Sequence, residues 1–236
     1  MLHSQNVRRA LGASAIAVVL GAAMAFYVAD SADAGQTRCR DHRADARERS
    51  AIVTGEGGRV LVIGDSWSVG LGQDDLARSW PSRLDGEVHV AGFSGSGFSA
   101  RASGCGTVSF ADRAPTALGV RPALVVVEGG LNDYDQPAAA IDDGFRDLMA
   151  DLAGERVVVV GPASAPSRAA AVPRVDALLA ELSAEYGVPY VQTSDLALDY
   201  LDDELHLTEG GHAEFGDVVA DRIAANSPAR PAVLPR

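Results

Sequence analysis

Five short apolar runs divide the middle of the chain: RVLVIG at 59–64, EVHVAG at 87–92, PALVVVEGG at 122–130, RVVVVGP at 156–162 and VPYVQT at 188–193. The valine run is the clearest strand signal, because side chains branched at Cβ favour extended backbone and the absence of polar alternation implies burial on both faces. Between the runs the period changes. Ile141, Phe145, Leu148 and Leu152 recur at helical spacing, as do Val175, Leu178, Leu182 and Tyr186, with Pro173 placed for a first turn and Gly187 just past the end. Phe215, Val218, Val219 and Ile223 mark a terminal helix. Strands alternating with helices predict a mostly parallel five-stranded sheet covered on both faces, a three-layer α/β/α sandwich.

The two ends differ from this pattern. Arg8 and Arg9 precede an uncharged, mostly apolar run from Ala10 to Ala29, and Ala32 and Ala34 have the spacing of an export cleavage site. Residues 1–34 therefore read as a signal peptide, with a retained membrane anchor as the alternative, since twenty such residues can span a bilayer. Either reading puts the rest of the chain outside the cytoplasm: secreted, or held at the cytoplasmic membrane. Residues 35–57 are polar and read as a loose segment or short helix, 58–226 as the folded domain and 227–236 as a Pro-rich tail.

Composition narrows the partners. The formal charge is −12 over 236 residues, which disfavours a broad electrostatic grip on nucleic acid or anionic lipid. Membrane association is expected only through the N-terminal segment. Cys39 and Cys105, the only two cysteines, could pair in an oxidising compartment or remain as two buried thiols. They form no recognisable metal set with the histidines, so no metal is expected.

In such folds ligands sit at the carboxyl ends of strands, and the polar motifs fall there. GDSWSVG at 64–70 follows the first run. Ser66 lies at the strand-to-helix turn, where its hydroxyl could face a cleft or merely cap a helix; Ser68 reads as the start of that helix. AGFSGSGFS at 91–99 supplies three glycines that permit close backbone approach, without the glycine order or the lysine of a phosphate loop. EGGLND at 128–133 presents Asn132, whose amide can donate toward developing negative charge. DDELHLTEGGH at 202–212 sets Asp203 three residues before His206, a spacing that lets the carboxylate hold one imidazole nitrogen while the other faces a serine. His212 is the competing histidine and reads as structural.

In combination, GDS, the glycine loop, G-x-N-D and D-x-x-H resemble the four sequence blocks of the SGNH hydrolases, the GDSL lipase and esterase family, over residues 59 to 225. The resemblance implies a flavodoxin-like SGNH fold and a cofactor-free serine esterase acting on a small or polymer-borne acyl ester. It implies Ser66 as nucleophile, His206 as base and Asp203 as its orienting acid. The Ser66 backbone N–H, Gly95 and Asn132 would form the oxyanion hole, with Gly130 and Asp133 shaping the turn beneath Asn132. The second block departs from the family by lacking an asparagine, which leaves Gly92 and Gly97 as alternatives to Gly95. Trp67, Phe93 and Phe98 could line an acyl pocket or pack the core. An acyltransferase would use the same site, and an inactive envelope or carbohydrate-binding protein could keep the scaffold.

Overall fold

The computed structural model describes residues 33–226; the N-terminal apolar run and the Pro-rich tail lie outside them. The chain divides into two units, Met1–Asp41 and His42–Arg236. In the first, residues 33–41 are helical; in the second, 42–50 are helical, the short-helix alternative of the sequence reading.

The second unit is built on a five-stranded, wholly parallel sheet of order β2-β1-β3-β4-β5. Its strands are β1 (Arg59–Gly64), β2 (Glu87–Gly92), β3 (Leu124–Glu128), β4 (Val157–Val160) and β5 (Tyr190–Val191). Every apolar run found in the sequence contains one of them. The helices are α1 (Ser66–Val69), α2 (Phe110–Ala117), α3 (Ala138–Asp151), α4 (Val172–Glu185) and α5 (Glu209–Ala225).

Two hydrophobic clusters sandwich the sheet. Val60 and Val62 of β1 join Trp67, Trp80 and Phe215 on one face, while Leu61 and Ile63 join Phe98, Phe110, Phe145 and Leu148 on the other. The four valines of β4 divide between the same clusters, which is why that strand carries no polar alternation. β2 lies at the sheet edge and does alternate, leaving His89 and Ala91 half-buried.

The strand order fixes where a ligand can bind. From β1 the chain crosses to β2 on one side and continues to β3 on the other, so connections leave the carboxyl ends of β1 and β3 in opposite directions and open a crevice between them. Ser66 stands two residues beyond β1, the glycine loop follows β2 and Asn132 follows β3.

Candidate active site

A tight turn presents Ser66. Asp65 caps α1, its Oδ1 accepting the Trp67 N–H at 2.9 Å, and the helix ends after one turn at Gly70, whose φ of 89° is open to glycine at little cost. Ser66 itself keeps 6% of its surface exposed. His206 Nε2 lies 3.1 Å from Ser66 Oγ, and His206 Nδ1 lies 2.5 Å from Asp203 Oδ2. The other Asp203 oxygen accepts the backbone N–H groups of Leu205 and His206 at 3.0 and 2.9 Å. Partial burial pushes the Asp203 carboxyl up, but the hydrogen bonds from the His206 ring and the two backbone N–H groups outweigh it and hold the group at about 2. Ser66 and the Asp203–His206 pair, whose histidine stands 140 positions from the serine, thus form one hydrogen-bonded line.

The other serine and histidine candidates are structural. Ser68 is fully buried; its hydroxyl donates to Glu128 Oε2 at 2.6 Å and accepts from the Trp80 indole at 3.2 Å. His212 is also fully buried, its Nδ1 accepting the Trp80 backbone N–H at 3.3 Å. Burial pulls the His212 ring down to about 4, which keeps it neutral at physiological pH.

Asn132 sits in a one-turn helix, Leu131–Asp133, entered through Gly130 at a φ of 118°. Its Nδ2 donates to Asp65 Oδ2 at 3.1 Å and to the Ser96 carbonyl at 2.9 Å. Asp133 shapes this turn and also ties down the glycine loop, accepting the Phe98 and Ser99 N–H groups at 3.0 and 2.8 Å. Of the three loop glycines, Gly92 closes β2 against Val69 and Gly97 abuts the Asp133 carboxylate. Gly95 has a φ of 81°, with the Ser103 hydroxyl at 3.9 Å the nearest atom on its Cβ side. Among the described residues its N–H donates to no backbone acceptor.

Below these groups lie charges that the sequence patterns did not reveal. Asp65, Glu128 and Asp133 are all buried. Burial, reinforced by the neighbouring Glu128 and Asp133 carboxyls, pushes Asp65 well above the usual carboxylate range. Burial likewise pushes Glu128 up to about 7 and Asp133 up to about 6, against the hydrogen bonds that each accepts. Arg113 of α2 stitches the layer together. Its guanidinium donates to the carbonyls of Val108 and Gly64 at 3.0 Å each, to Ser96 Oγ at 2.9 Å, and to the Ala91 carbonyl. Burial pulls Arg113 down to about 10, so it remains cationic at neutral pH beside Asp65. The visible signals were a glutamate closing an otherwise apolar strand and the S-x-x-D capping box at Ser109 and Asp112 that starts α2.

Of the two places open to Trp67, Phe93 and Phe98, the structure favours the interior: they retain 1%, 4% and 0% of their surface. Trp67 packs edge-to-face on Phe215 and Phe98 on Phe110. A hollow of about 400 Å³ lies against Leu61, His89 and Ala91 on the β2 flank, and its lining includes none of Ser66, Asn132, Asp203 or His206. Neither cysteine is free; Cys39 and Cys105 are both disulfide-bonded. Among the described residues, no group of three or more His, Cys, Asp or Glu side chains is arranged to hold a metal ion, and no helix is long and apolar enough to cross a membrane.

A parallel α/β sandwich carrying a serine, histidine and aspartate in hydrogen-bonded order at its switch point is the architecture of a serine hydrolase. Residues 62–214 match the GDSL-like Lipase/Acylhydrolase family. The match covers more than half of the chain, and the protein belongs to that family, the SGNH/GDSL-type serine esterases acting on acyl esters. Comparison with curated proteins finds no match. Among solved structures, Est24, a carbohydrate acetylesterase from Sinorhizobium meliloti, superposes with a TM-score of 0.60 at 20% identity, covering 72% of this chain and 99% of its own. The aryl esterase of M. smegmatis gives 0.58 at 18% identity, over 72% and 99%. A family two carbohydrate esterase from Clostridium thermocellum, in complex with cellohexaose, gives 0.56 at 15% identity, over 73% and 65%. These likenesses establish the shared fold.

Proposed function

We infer that the protein hydrolyses small acyl esters outside the cytoplasm, through an acyl-enzyme formed on Ser66. The observation that carries this reading is the unbroken line from Ser66 Oγ through the His206 ring to Asp203, with separations of 3.1 and 2.5 Å. His206 Nε2 takes the serine proton as Oγ attacks the ester carbonyl, and Asp203 stabilises the imidazolium that forms. The tetrahedral intermediate collapses as His206 returns that proton to the departing alkoxide. Water then repeats the sequence on the acyl-enzyme, releasing the acid and restoring the serine.

The oxyanion is held by the backbone N–H groups of Ser66 and Gly95 and by the Asn132 amide. Both Asn132 N–H bonds already have acceptors, so the substrate oxygen must share or displace one of them. Burial and the neighbouring Glu128 carboxyl push Asp65 upward, which lessens the negative charge beside the amide.

Two observations support a small acyl group: the aromatic side chains nearest the motifs are packed in the interior, and the neighbours include a carbohydrate acetylesterase. We take the alcohol to be borne on a carbohydrate. The paired cysteines support the extracellular location expected from the N-terminal segment. The hydrogen-bonded triad argues against an inactive binding protein. The test compares the parent with Ser66→Ala on p-nitrophenyl acetate, butyrate and octanoate, after both are shown to fold. Serine-dependent release, fastest with acetate, is expected; equal rates for parent and variant would refute the reading.

A further inference from the structure

His206 occupies an exposed turn rather than a strand end or helix, and its aspartate belongs to the same turn, with 49% of the Asp203 side chain exposed. The Asp203–His206 pair therefore cannot by itself set the distance to Ser66. Something must hold the turn as a whole, since a misplacement of about 1 Å at a reacting pair can cost roughly 100-fold in rate.

The carbonyls of residues 204 to 207 are each taken by a donor. Glu204 O accepts the Ser167 backbone N–H at 3.0 Å and His206 O accepts the Leu201 N–H at 2.7 Å. The two carbonyls flanking His206 accept side chains instead. Trp67 Nε1 donates to Leu205 O at 3.0 Å, and Gln73 Nε2 donates to Leu207 O, also at 3.0 Å. Both donors come from the segment that begins at Ser66. Trp67 follows the serine directly and is fixed against Phe215 and Tyr200, with ring centroids 5.1 and 6.2 Å away. Gln73 lies just beyond the α1 turn.

We propose that Trp67 and Gln73 form a two-point clamp that registers His206 against Ser66. They are positioning residues: neither touches the reacting atoms. The proposal rests on the inferred roles of Ser66 and His206. It also gives the tryptophan in GDSWS a role, because a leucine at that position has no N–H to reach Leu205.

The geometry separates two contacts that most triad lesions would damage together. Asp203 moves with the turn, whereas Ser66 does not. Loss of the clamp therefore weakens the Ser66–His206 contact and leaves the Asp203–His206 hydrogen bond intact. Trp67→Phe keeps the ring and removes the donor. Gln73→Leu does the same at a half-buried position that the core does not depend on, so it serves if the first variant fails to fold.

The experiment measures kcat and KM on p-nitrophenyl acetate, the thermal midpoint, and the downfield proton resonance of the His206 Nδ1–H, for parent, Trp67→Phe, Gln73→Leu and the double variant, beside Ser66→Ala and His206→Ala. Each single variant should lose about three- to tenfold in kcat with KM within twofold, consistent with the net worth of one hydrogen bond, and the double variant should lose more than either. The downfield resonance should persist. Unchanged kcat in folded Gln73→Leu and Trp67→Phe, with Ser66→Ala and His206→Ala inactive, would overturn the clamp alone. Activity retained in Ser66→Ala or His206→Ala would overturn the catalytic reading beneath it. Loss of the downfield resonance together with kcat would also overturn the clamp, because the damage would then lie in the turn itself.

Discussion

Replacing Glu128 by glutamine should change how stability depends on pH more than it changes stability at any one pH. Glu128 is 2% exposed and sits among Ser68, Asp65 and the layer below the oxyanion turn. Burial raises its carboxyl from an ordinary 4.5 to about 7. Between those values the folded protein holds a proton that the unfolded chain has released, so stability falls as pH rises through the window and levels off above it. A difference of about 2.5 pH units at 1.36 kcal/mol each amounts to roughly 3 kcal/mol. Asp133, raised from 3.8 to about 6, adds a slope of the same sign at lower pH. The glutamine side chain cannot ionise, and its removal of a neighbouring charge also relaxes Asp65. It offers one acceptor where the carboxylate offered two, so a fixed cost on the order of 1 kcal/mol is expected throughout. Urea unfolding followed by the fluorescence of the buried Trp67 and Trp80 at pH 5, 6, 7 and 8 measures both effects. Glu128 alone should cost the parent roughly 2–3 kcal/mol between pH 5 and 8, with Asp133 adding to the fall, and Glu128→Gln should lack the Glu128 share. Parallel curves for the two proteins would refute the reasoning.

Asn132→Ala should lower kcat by about 100- to 1,000-fold if its amide serves the oxyanion fully, with KM little changed; steady-state kinetics showing parental turnover would remove Asn132 from the hole. Ser68→Ala should leave the esterase rate within a few-fold of the parent while costing roughly 1–3 kcal/mol, since Glu128 and the Trp80 indole each lose a buried partner. Urea unfolding and p-nitrophenyl acetate turnover on the same preparation separate the two quantities, and an inactive but fully stable variant would contradict the structural role.

The features legible from the chain were those carried by local pattern. RVLVIG and EVHVAG coincide with β1 and β2 because apolar runs ending in glycine specify both a strand and its end. The valine run announced β4 for the same reason. α2 escaped notice: FADRAPTA is only eight residues long, buries one large side chain, Phe110, beside Ala114, and contains Pro115. The proposed triad residues were legible because local motifs carry them: GDS follows the end of β1, and Asp203 stands three residues before His206. The Trp67 and Gln73 hydrogen bonds were not, since each joins residues more than 130 positions apart and no local spacing encodes them. Nor could the pattern distinguish an aromatic side chain at an open pocket from one in the interior. Trp67, Phe93 and Phe98 are apolar in either place, and only the helices and loops packed over them decide between the two.

The central claim is that Ser66, activated by His206, is the acylated residue. Labelling the full chain with a fluorophosphonate, followed by intact mass measurement and peptide mapping, tests it most directly. The account predicts a single adduct on Ser66, absent in Ser66→Ala and formed far more slowly in His206→Ala. An adduct on Ser68 or elsewhere, or labelling at an equal rate without His206, would contradict it.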